Sequence, residues 1–66
     1  MSNAFVIEAA GEAAGVVVRE ERGYRFYAAA RPFFPLEAQA FRRPEDASRA
    51  AERLVAARGN AHRPQV

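Results

Sequence analysis

Residues 22–36 read RGYRFYAAARPFFPL and carry five of the chain's seven aromatic rings beside three arginines. The first half alternates. Tyr24, Phe26 and Ala28 fall on one side of an extended chain, and Arg25, Tyr27 and Ala29 on the other, the pattern of a half-buried strand over 24–30. The second half, 31–38, contains Pro32 and Pro35, which cannot donate to a sheet ladder, so the strand gives way to a loop. Phe33 and Phe34 inside it either close the bottom of the core or form an exposed docking site. One ring buried and one partly exposed is the expectation, because contiguous exposed apolar surface is uncommon without a use.

Upstream, 5–9 reads as a strand with Phe5, Ile7 and Ala9 on one face and Val6 and Glu8 on the other. Gly11 in the break at 10–12 accepts a positive φ at no steric cost. The second strand, 13–20, holds the β-branched run Val16-Val17-Val18, and alternation divides it into Ala14, Val16 and Val18 against Val17 and Arg19. Glu21-Arg22-Gly23 then makes a short hairpin turn. Downstream, 39–42 is a weak fourth strand. PEDASRAAERLVAAR, 44–58, is a helix: Pro44 suits its first position, Glu45 and Asp46 and then Arg58 complement the macrodipole, and Gly59 is the expected stop. Ala47, Ala50, Ala51, Leu54 and Arg58 form a narrow stripe of small side chains that lets the helix lie close on a sheet. Residues 60–66 read as a flexible tail.

The expected fold is α+β: an antiparallel three- or four-stranded meander with one C-terminal helix packed on one face, a single domain with an ordered core over about residues 4–59. Phe26 then joins Phe5, Ile7, Val16, Val18, Phe41 and Leu54 beneath the helix. The opposite face, with no second helix to cover it, collects Val6, Glu8, Val17, Arg19, Arg25, Tyr27 and Arg42. The candidate interaction surface is therefore Val6, Val17, Arg19, Arg25, Tyr27 and Arg42 on the open sheet face, with Phe33 and Phe34 in the loop as a second docking element. The bland alternative is a sheet face that simply meets water, its valines shielded by arginine stems.

Sixty-six residues make one domain near the lower limit for independent folding, burying only about 60% of the surface exposed when unfolded. There is no cysteine to staple it, and sixteen of its apolar residues are alanine. A lone core of this size supplies roughly 3–5 kcal/mol, which makes self-association a natural remedy. All ten basic residues are arginine, set among eight carboxylates for a net charge of +2. Arginine suits phosphate and planar stacking. Joint enrichment in arginine and alanine also follows from GC-rich coding, and a dedicated nucleic-acid binder usually carries a larger imbalance.

Gly-Tyr-Arg-Phe-Tyr at 23–27, Phe41-Arg42-Arg43, and Ala47, Ala50 and Ala51 of the helix together resemble a known layout. It is that of the small three-strand-plus-helix DNA-binding domains of phage-type tyrosine recombinases, the arm-binding kind, and of AP2-like proteins. The resemblance spans about residues 13–57 and implies a sheet face that enters the major groove, with Arg19, Arg25, Tyr27 and Arg42 facing DNA. The chain departs from that layout in its long aromatic link between the third and fourth strands and in having no lysine.

No catalytic constellation assembles. His62, the sole histidine, falls in the expected tail; Ser48 has no histidine near it in sequence; Glu20 and Glu21 are adjacent and so point to opposite faces. Neither Gly11 nor Gly15 opens a helix as a phosphate loop would. The sequence thus reads as a non-enzymatic interaction module without cofactor or metal. It would bind a protein partner or itself, with DNA as an alternative target, or a host protein if the chain is phage-borne. No basic leader or long apolar run is visible, so a cytoplasmic location with no membrane partner is expected.

Overall fold

The computed structural model describes residues 3–62, with side chains through Arg58. Four strands, β1 (Ala4–Ala9), β2 (Glu12–Glu20), β3 (Gly23–Ala28) and β4 (Ala40–Phe41), form one antiparallel sheet in the order β1-β2-β3-β4. A 3-10 helix, Arg31–Leu36, links β3 to β4, and α1 (Pro44–His62) is the last described element. This is the α+β meander with one C-terminal helix that the hydrophobic periods imply. The fourth strand is real but short, because Pro32 and Pro35 wind the preceding segment into a tight helix instead of a ladder.

One face of the sheet is covered jointly by α1, which lies chiefly over β1, and by the 3-10 helix, which lies over β3. Between these layers sit Ile7, Ala9, Ala14, Val17, Phe26, Phe33, Leu36, Ala47 and Ala51, all buried. Ala47 and Ala51, one helical turn apart, are the floor of α1, flanked by Ala50, Leu54 and Val55. Their small side chains bring the helix backbone close to the sheet. Phe26 and Phe33 then fill the volume that alanines leave. Phe41 meets Phe26 edge-on at 6.3 Å between ring centroids, a favoured aromatic geometry.

The strand phases of β1 and β3 follow simple alternation; that of β2 does not. Ile7 pairs with Gly15 but Glu8 pairs with Ala13, so Ala14 is an extra residue, a β-bulge. Two successive residues at a bulge point the same way, so alternation beyond it is shifted by one. Ala14 is buried, and beyond it Gly15 and Val17, not Val16 and Val18, look toward the helix. Val17, expected on the open face, is fully buried between Phe5 and Phe26, its cross-strand partners. Val16 and Val18, expected in the core, lie on the open side instead.

Two turns use backbone that alanine adopts reluctantly. Ala9 pairs with Glu12, leaving Ala10-Gly11 as a two-residue hairpin turn with φ of 53° and 81°. Positive φ at both central positions is the type I′ arrangement, for which Asn-Gly is the preferred sequence. Ala38, φ 69°, is the second such site. Its N–H donates to the Phe26 carbonyl at 2.9 Å while the Phe26 N–H donates to the Gln39 carbonyl at 2.9 Å, so two residues oppose one. That is a bulge whose first residue is ordinarily glycine. Ala10→Asn and Ala38→Gly should each raise stability by about 0.5–1 kcal/mol, since a left-handed Cβ costs roughly 1–2 kcal/mol. Urea denaturation of each variant checks this, and a lowered midpoint for both would refute the left-handed assignments.

Helix α1 begins at Pro44 as its sequence implies, and Arg58 reaches Glu12 at 3.4 Å where the helix passes the β1–β2 turn. It does not stop at Gly59 but continues to His62. Glycine inside a helix costs about 1 kcal/mol relative to alanine yet blocks no hydrogen bond. A stop also needs the chain to reverse in the left-handed region. Of the tail expected over 60–66, residues 60–62 are helical and 63–66 lie outside the described residues.

Candidate functional site: an uncovered sheet face

Residues directly opposite across antiparallel strands share a face, so the register defines the open side row by row. One row is Val6, Val16 and Tyr27; the next is Ala4, Val18, Arg25 and Ala40. Val6 is 66% and Tyr27 42% exposed, and Val16 and Val18 are half-buried only by their neighbours in the sheet. No element of the described chain lies over them. The surface is a band of aliphatic side chains with one phenol, spread over three strands.

Arg25 is the cation within that band, and it is already occupied. Its Nε donates to Glu20 Oε1 at 2.9 Å and its Nη1 donates to the Ala38 carbonyl at 2.8 Å. It straps β3 to the segment entering β4, and its charge is balanced on the spot by Glu20. Two charges mark opposite corners of the face. Glu8 lies on the open side of β1, between buried Ile7 and Ala9, beside the β1–β2 turn. Arg42 is exposed and directly follows β4 at the far corner of the sheet. Neither forms an ion pair with another described residue.

Four residues of the expected surface stand apart from the open sheet face. Val17 is core, for the reason given by the bulge. Phe33 is fully buried, while Phe34 is 56% exposed. A 3-10 helix has three residues per turn, so Phe33 and Leu36 share its inward side and Phe34 turns outward. Phe34 belongs to the helix-side layer, apart from the open sheet face. Arg19 pairs with Tyr24 and so shares the helix side of the sheet with it, near the edge-on pair Phe5–Tyr24 at 5.7 Å. Phe5 reaches the face expected of it but remains 43% exposed there.

What remains together on the open side is Val6, Arg25 and Tyr27, with Arg42 at its corner, joined by Val16 and Val18, which alternation alone misplaces. The signal for that error is present in Ala13-Ala14-Gly15: small residues and a glycine inside a strand pattern often mark a bulge.

Among the described residues there is no pocket and no group of three or more side chains placed to hold a metal ion. No helix among them is long and apolar enough to cross a membrane. Compared with protein-family models, with curated proteins and with solved structures, the chain matches none.

Proposed function

We propose that this chain is a non-enzymatic protein-interaction module that docks through its open sheet face. The observation that carries the reading is the Val6–Val16–Tyr27 row with Val18 beside it: apolar, in register, and bare. Fully burying one such side chain is worth about 1.5–3 kcal/mol, and a tyrosine near the middle of a patch is a common energetic anchor. The Arg25–Glu20 pair adds a polar element that brings no net charge to be neutralised. A nucleic-acid backbone would call for uncommitted cations on this face. Arg25 is held by Glu20 and Arg19 belongs to the other side, which leaves the unpaired Arg42, at one corner, to stand alone against a backbone of many phosphates.

The test is a comparison of wild type with the double variant Val6→Glu/Tyr27→Glu, both residues being exposed. A protein that co-purifies with wild type, is identified by mass spectrometry and is rebuilt with it from purified components should lose at least about tenfold in affinity for the double variant. The circular dichroism spectrum of the variant should be unchanged. An equal affinity would move the docking site off the sheet. So would a wild type that associates with no protein, itself included.

A further inference from the structure

Resting on that reading, we infer that the occupant of the open face is a second copy of this chain, its sheet stacked on the first at close to a right angle about a two-fold axis. The charge pattern selects the pairing. Neighbouring strands are about 4.8 Å apart and residues rise about 3.3 Å each, so from Glu8 to Arg42 is roughly 14 Å across the strands and roughly 20 Å along them. The face is thus close enough to square for one diagonal to exchange its ends. A two-fold axis along the other diagonal, through Val18 and Tyr27, sets Glu8 of each copy opposite Arg42 of the other. The symmetry provides this twice.

The same operation stacks Tyr27 on its own counterpart and Val18 on its own. It lays Val16 over the aliphatic stem of the second copy's Arg25, whose head stays tied to Glu20 and the Ala38 carbonyl. Orthogonal stacking at about 10 Å is one of the two ways sheets pack face to face. A parallel or antiparallel stack of these faces would leave Glu8 and Arg42 without partners. Self-association also suits a domain whose helix contributes mainly alanine to its core, because a small domain gains from surface buried outside itself. The face is smaller than that of standard specific interfaces, so the dimer is a weak one, dissociating on the order of 100 μM.

Sedimentation equilibrium on the purified chain, across roughly 5–500 μM, tests this. Wild type should move from monomer to dimer mass, and Tyr27→Glu, with Val6→Glu as a second exposed variant, should stay monomeric. Glu8→Arg and Arg42→Glu should each weaken association about tenfold through like-charge apposition, and the double exchange Glu8→Arg/Arg42→Glu should restore it. A wild type that is monomeric throughout overturns self-recognition. The general protein-binding reading then stands or falls separately, on its own co-purification comparison. A dimer indifferent to both Tyr27→Glu and Val6→Glu overturns the face. A dimer sensitive to those two but not rescued by the charge exchange overturns the orthogonal pairing.

Discussion

Phe33→Ala should remove most of the stability of this domain, whereas Phe34→Ala, one residue on, should barely shift its melting curve. Phe33 is fully buried against a core with only a few large side chains, Phe26 and Ile7 among them. Truncating a buried phenylalanine costs about 3–5 kcal/mol, the lost transfer energy plus the cavity left behind. That loss is of the same order as the roughly 3–5 kcal/mol expected of a single core this size, so the variant should be largely unfolded in plain buffer. Phe34 is mostly in water already, and surface changes of that kind usually stay within about 0.5 kcal/mol. Thermal and urea unfolding followed by circular dichroism read both effects. Measurement at low protein concentration keeps the proposed self-association from adding to apparent stability. Similar losses for the two alanine variants would mean that the 3-10 helix does not present Phe33 inward as described.

Gly15→Val is expected to be as damaging, for a different reason. A Cβ at Gly15 would run into the Tyr27 backbone carbonyl and stand 2.9 Å from Cε1 of the Phe26 ring. The ring could tilt. The carbonyl cannot retreat without parting β2 from β3 where Gly15 pairs with Ala28. Overpacking of a core typically costs about 1–3 kcal/mol, and a clash against backbone belongs at the upper end. Even Gly15→Ala should cost about 2 kcal/mol by the same route, and valine more. Gly11→Ala is the control. Its φ of 81° carries the left-handed penalty, but nothing lies within 4 Å of the added carbon, so a loss of only about 1 kcal/mol is expected. If Gly15→Ala proved no worse than Gly11→Ala, the close approach of β2 to β3 at the bulge would be refuted.

These two experiments probe the same structural decision from opposite sides. The bulge at Ala14 turns Gly15 and Val17 inward, and the cradle at Gly15 lets Phe26 lie flat enough for Phe33 and the helix alanines to close over it. The face left bare by that decision, Val6, Val16, Val18 and Tyr27, is the one proposed to dock.

Much of this architecture was legible along the chain. The period-2 patterns around Ile7 and Phe26 set the inward phases of β1 and β3, because each strand keeps its alternation without interruption. Pro44, the acidic first turn and the alanine spacing placed α1, since those signals act within one or two helical turns and need no distant partner. The two prolines around Phe33-Phe34 ended the third strand for an equally local reason. Three things came only from the assembled tertiary structure. The phase of β2 depends on pairing with β1, where one unopposed residue, Ala14, defeats alternation, so Val17 exchanged places with Val16 and Val18. Which of two adjacent phenylalanines is buried depends on the rotation of a 3-10 helix fixed by β3 and α1. The left-handed alanines, Ala10 and Ala38, exist because the ladders on either side impose a backbone that their own preference would refuse. Local chemistry decides which element a segment becomes; contacts between segments far apart in the chain decide which side of it faces the world.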